Sequence, residues 1–140
     1  MNTGYLSLEE AIKLHGHRGP WIVLGYRLGV IARERLCPAT PFSLKCTVYL
    51  SLRKPYTCIL DGLQASSGCT IGKLNLEYRD SNNDEVEVVF ENIETMEKLR
   101  FIIDKGSVEY INGLIEKHGS EKAADIIEGE DLWRLVKIFT

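Results

Sequence analysis

Apolar positions change their period several times along the chain, and each change marks an element. Leu8, Ala11, Ile12 and His15 fall on one helical face, and Ser7 followed by Glu10 has the form of a capping box. A short first helix is therefore predicted, ending near Gly16. Pro20 suits the first turn of a second helix, where its missing N–H costs nothing. Ile22 to Leu36 is apolar on almost every side, as in a helix buried all round. These two predictions make His17 to Gly19 a tight connector.

The run "KCTVYLSL", Lys45 to Leu52, is β-branched and alternating and predicts a strand. "TCILDGLQAS", Thr57 to Ser66, predicts a helix stopped by Gly68. "LNLEYRD", "EVEVVFEN" and "KLRFIID" alternate apolar with polar, and "SNND" between the first two suits a hairpin turn, so an antiparallel meander is expected. From Ser107 the helical period returns through "VEYINGLIEKHG". Ser120 is expected to cap "EKAADII", and "LVKIF" to add a last strand. Strands and helices are grouped rather than strictly alternating, which predicts an α+β fold, an antiparallel sheet with helices packed against it.

At 140 residues the chain suits one domain, residues 1–140, with its own core. Seventeen Lys and Arg against 20 Asp and Glu, a net charge of −3, exclude the basic field that drives non-specific nucleic-acid binding. The amino terminus lacks the pattern of a secretion signal, and Arg27, Arg33 and Arg35 interrupt the longest apolar segment, so no membrane span and a cytoplasmic location are expected. Cys37, Cys46, Cys58 and Cys69 form no C-x-x-C pair and are expected to be reduced thiols. Trp21, Ile22, Leu24, Leu28, Val30 and Ile31 spread around the second helix. One small sheet should not cover them all, so a homodimer is expected.

Candidate chemistry gathers in two places. His15 and His17, at i and i+2, converge only if the chain bends between them, as Gly16 and Gly19 allow. Cys58, Asp61 and Gln64 lie along one side of the predicted third helix, and Cys69, Thr70 and Lys73 follow in a glycine-bounded loop. Imidazole with thiolate is a ligand set suited to zinc or another divalent transition metal, so His17 with Cys58 or Cys69 makes a partial shell. Against this, Cys58 has the spacing of a small core residue and a His-x-His is commonly a surface feature. "GCTIGK" is not a phosphate loop: three rather than four residues separate Gly68 from Gly72, and Leu74 stands where Ser or Thr is needed. Cys37 and Cys46 read as packing residues, and His118 as a cation near a helix C-terminus.

The segments "HGHRGP" with "LGYRLG", then "CILDGLQ" and "GCTIGKLNL", in this order, resemble the FmdE family, named for formylmethanofuran dehydrogenase, from about His15 to Asp104. The resemblance implies an α+β core domain without the cysteine-rich zinc ribbon often found in the family, and carries over His15, His17, Cys58, Asp61, Gln64, Cys69, Thr70 and Lys73. Gly19 stands where the family often has Cys or Ser, so that side chain's ligand is lost. Gly62 replaces the usual Ala, which should loosen the helix by about 1 kcal/mol. The family's name implies an association with a molybdenum or tungsten oxidoreductase.

On this basis the expected function is a metal-binding domain, with zinc the expected ion in an open-coordination His/Cys site. His17 and Cys69 are the first ligands and His15 and Cys58 the next. Asp61 orients a histidine or an ion-bound water, Gln64 and Thr70 support the cofactor, and Lys73 offers charge to an anionic substrate. Cys69, Asp61 and Lys73 are the catalytic candidates, and Cys69 is expected to be the zinc-protected thiol. Two alternatives are a non-catalytic accessory protein that delivers metal to a partner enzyme, and a metal-free thiol enzyme in which His17 activates Cys69.

Overall fold

The computed structural model describes residues 4–140. Its helices are α1 (Leu8–His15), α2 (Pro20–Leu36), α3 (Cys58–Ser67), α4 (Lys105–His118) and α5 (Ser120–Gly129). Its strands are β1 (Leu44–Leu50), β2 (Leu76–Asp80), β3 (Val86–Asn92), β4 (Lys98–Ile103) and β5 (Lys137–Phe139). The fold is α+β, with a mostly antiparallel five-stranded sheet in the order β2-β1-β3-β4-β5.

The pattern of burial along β1 and β3 alternates strictly. Leu44, Cys46, Val48 and Leu50 on β1, with Val86, Val88 and Phe90 on β3, put one face of the sheet under the helices. The opposite face carries ion pairs such as Arg100–Glu87 and Lys45–Glu77. A sheet with one apolar and one charged face needs helices on its apolar face only.

The expected meander does not form in that order. β1 inserts between β2 and β3, pairing parallel with β2 (Cys46 opposite Leu76) and antiparallel with β3 (Cys46 opposite Phe90). "SNND" therefore spans a neighbouring strand instead of closing a hairpin. The physical reason lies in α3, which returns the chain alongside β1 as a crossover connection and so delivers β2 parallel to it. Alternation within a strand reports which face is buried and carries no information about which strand lies next to it.

Helix α2 is the centre of the core. Trp21, Ile22, Leu24 and Leu28 are each at most 1% exposed, because α3, α5 and the sheet surround the helix. The chain itself thus covers most of the surface on which the homodimer expectation stood; Val30 and Ile31 remain half-buried. The close packing of α2 on α3 depends on glycine at two points. A Cβ at Gly25 would run into the Ile59 carbonyl oxygen, and one at Gly62 into the Ile22 carbonyl oxygen and, at 2.6 Å, the Tyr26 nitrogen. Gly62 is therefore a contact point between two helix backbones, and the expectation that it merely loosens α3 is corrected by that close approach.

The capping box predicted at Ser7 is present, with Ser7 Oγ accepting from Glu10 N–H and Glu10 accepting from Ser7 N–H. Ser120 does not cap α5. The N-cap is Gly119, and the Ser120 hydroxyl donates to the Arg18 carbonyl at 3.0 Å, tying α5 to the connector between α1 and α2. Among the described residues no helix is long and apolar enough to cross a membrane.

Candidate metal centre

His15 is the last residue of α1, and Gly16 after it adopts φ 101°, the left-handed conformation that ends the helix. That turn reverses the chain within one residue and solves the i, i+2 problem: His15 Nε2 and His17 Nε2 lie 3.0 Å apart. Cys58 opens α3, and its Sγ is 4.0 Å from His17 Nε2. The ligand atoms of His15, His17 and Cys58 all lie within 4.8 Å of one another.

Bond lengths test whether an ion fits. Zinc bonds of about 2.0–2.1 Å to nitrogen and 2.3 Å to sulfur, at tetrahedral angles, put two nitrogens about 3.3 Å apart and a nitrogen and a sulfur about 3.6 Å apart. The two separations to His17 differ from these by a few tenths of an ångström and the third is at most 4.8 Å, a spread that side-chain rotation can absorb. The residues present fit a borderline divalent ion.

The protonation pattern points the same way. Asp61 Oδ2 lies 2.7 Å from His15 Nδ1, and a carboxylate can only accept, so Nδ1 is the donor in that contact and Nε2, which faces His17, is the ring nitrogen left to meet an ion. Asp61 is itself held, since Gln64 Nε2 donates to its Oδ1 at 3.2 Å and Gln64 Oε1 accepts from Ile71 N–H at 3.0 Å. A carboxylate–histidine pair of this kind fixes the ring and raises its basicity as a ligand. Burial raises the Cys58 thiol above its ordinary value, the Asp61 carboxylate adds to this, and Lys54 acts against both.

The second half of the expected site is elsewhere. Cys69 is fully buried and donates its S–H to the Leu44 carbonyl at 3.4 Å. Burial pushes its thiol up to about 11, against the opposing effects of the Ser67 hydroxyl and Lys73. The structure therefore does not bring Cys69 to His17, either as ligand or as activated nucleophile. Thr70 and Lys73 belong to the same loop: Lys73 Nζ donates to Thr70 Oγ1 at 2.9 Å and stands 5.8 Å from the centre of the Phe42 ring. Asn75 holds that loop on the sheet, accepting from Thr70 N–H and donating to the Pro41 and Leu44 carbonyls. The loop touches the centre through a residue not expected there, Ile71, whose N–H donates to Gln64 Oε1.

Arg18, inside "HGHRGP", is a further residue that holds the site. Its guanidinium donates to Asp125 Oδ1 at 2.6 Å, to Glu128 Oε1 and to the Glu121 carbonyl, so α5 clamps the connector that carries His17. The sequence signal for this clamp is the acidic pair Asp125 and Glu128, three residues apart on one helical face. Gly19 follows Arg18, and a Cβ there would lie 2.8 Å from Ser120 Oγ and 3.1 Å from His17 Cε1. Glycine leaves that space to the His17 ring.

An Archaeoglobus fulgidus protein named "Probable S-adenosyl-L-methionine-binding protein" is 28% identical over 94% of this chain and 39% of its own length. The chain thus spans about two fifths of that relative. The family described as "FmdE, Molybdenum formylmethanofuran dehydrogenase operon" matches residues 14–138. With nearly the whole of the chain matched, from the last turn of α1 to the last strand, the protein belongs to the FmdE family.

Proposed function

We propose that this domain binds one divalent transition metal ion, zinc by its donor set, through His15 Nε2, His17 Nε2 and Cys58 Sγ, and keeps a further coordination position open. The observation that carries this reading is the convergence of three donor atoms within 4.8 Å, with Asp61 holding His15 in the tautomer that ligates. Three protein ligands are the pattern of centres that act on a substrate or pass an ion on, whereas structural zinc sites use four. The ion would supply Lewis acidity at the open position. Asp61 and Gln64 hold the ligand geometry, and the Arg18 clamp holds the connector.

A second reading, in which the same centre delivers metal to a molybdenum or tungsten oxidoreductase, is favoured by the operon named in the family description. The relative's name adds S-adenosyl-L-methionine as a ligand to be tried, although that name describes a chain of which this one covers 39%. The deciding experiment is metal analysis of protein purified without a metal-affinity column. One equivalent of zinc, lost in His17→Ala with the fold intact by circular dichroism, is the expected result. Protein that is metal-free and takes up no added zinc, cobalt or nickel removes the reading.

A further inference from the structure

Tyr78 on β2 pairs with Val48 on β1, so its ring lies on the helix-covered face of the sheet. Yet it is 50% exposed while Val48 is fully buried. The cause is an unfilled space between α3 and β2, a groove of about 460 Å³. Leu76 forms its buried floor, and Leu60, Ile71 and Tyr78 form its walls. A volume of this size admits a small organic molecule.

Asp61 and Gln64 also line this groove, so the carboxylate that holds His15 forms part of its wall. Of the described residues that line the groove, Asp61 alone carries a formal charge. Two of the carboxylate's roughly four acceptor positions are used, by His15 and Gln64. Its side chain is 37% exposed, which leaves the others reachable. The exposed Tyr78 ring offers a π-face that attracts cations. Lys73, the cation of the loop after α3, does not line the groove and donates to the Thr70 hydroxyl.

We infer that the groove between α3 and β2 binds a small amine with an apolar body, the body lying on Leu60, Leu76 and Tyr78 and the ammonium pairing with Asp61. Charge complementarity selects the cation, because an anionic ligand would bring like charge against the carboxylate. The apolar walls select the body. Treating the groove as the place where a substrate of the metal centre lies rests on the function proposed above. The binding itself does not depend on it.

Three probes of one shape separate the contributions: 3-phenylpropylamine, 3-phenylpropanol and 3-phenylpropanoate, titrated into 15N-labelled protein. The amine is expected to shift the amides of Leu60, Ile71 and Tyr78 saturably, with a Kd of about 0.1–1 mM for a ligand of this size. The alcohol should bind more weakly, and the carboxylate at least about tenfold more weakly than the amine. Asp61→Asn should bring the amine down to the level of the alcohol. Tyr78→Ser, on the exposed edge strand, should weaken all three.

The same titration in His15→Ala protein stripped of metal keeps the two proposals apart. Amine binding that persists there supports the groove whether or not the wild type holds zinc. An amine that binds only when zinc is present and is lost in His15→Ala is a metal ligand, and overturns the groove assignment. Equal affinity for amine and carboxylate overturns it too. So do shifts that track protein concentration instead of ligand, because the groove is then covered by a second copy of the chain.

Discussion

The connector that ends α1 and the loop that follows α3 look alike in sequence. Each is polar and bounded by glycine, and each carries imidazole, thiol, hydroxyl or ammonium groups. In the structure they part. His15 and His17 turn their Nε2 atoms toward each other and toward Cys58 at a partly exposed surface, so these donor atoms meet one another where an ion could take the place of their mutual contacts. In the loop after α3, every expected group is spent on the protein: Cys69 on Leu44, Lys73 on Thr70, and Thr70 N–H on Asn75. What separates a ligand cluster from a latch is whether the polar atoms meet other potential ligands or are tied to backbone carbonyls and hydroxyls. A buried polar group must find a partner, and a functional one must keep a lone pair that an ion can take.

The sharpest way to break this comparison is to remove one thiol from each region. Cys58→Ala should weaken zinc binding by about 100-fold or more, by loss of a ligand, in competition with a chromogenic chelator. Cys69→Ala should change it less than about threefold while costing about 1 kcal/mol of stability in urea unfolding. Equal effects from the two would place Cys69 back at the ion.

Gly62→Ala tests how the site is positioned. A methyl group between the two helix backbones should cost about 3 kcal/mol and, by displacing α3, weaken metal binding as well. If that variant is more stable than the wild type, the close approach at Gly62 is not needed. Asn75→Ala should instead cost about 2 kcal/mol, from carbonyl and N–H groups left without partners, and leave metal affinity within about threefold. A large loss of affinity there would make the latch part of the site.

Alkylation by iodoacetamide offers the finest discrimination. Cys58 should react about tenfold more slowly with zinc than without. Cys37, which is exposed, should react at one rate in both states, and Cys46 and Cys69 should stay slow throughout. Burial holds the Cys46 thiol well above its ordinary value and Cys69 at about 11, so neither offers thiolate at neutral pH. Zinc dependence at Cys69 with none at Cys58 would reverse the assignment.

Most elements were legible because each rests on local signals. Ser7 with Glu10 starts α1, Gly16 ends it, Pro20 opens α2, and Gly68 ends α3. The alternation in β1, β3 and β4 announced one buried face. Cys58, Asp61 and Gln64 could be placed on one side of α3 because spacing along a helix translates directly into direction.

The sequence by itself therefore determined most of the elements, the buried face of β1, β3 and β4, and the two segments, "HGH" and "CILDGLQ", whose side chains come together. Only the tertiary structure decided that β1 lies between β2 and β3, that Gly62 is a point of helix contact, and that Cys58 rather than Cys69 meets the histidines. The physical reason is the same in each case. Local periodicity and capping depend on neighbours a few residues away, whereas strand order, helix approach and the burial of a thiol depend on groups far along the chain: Cys69 finds Leu44 across 25 residues, and His15 finds Asp61 across 46.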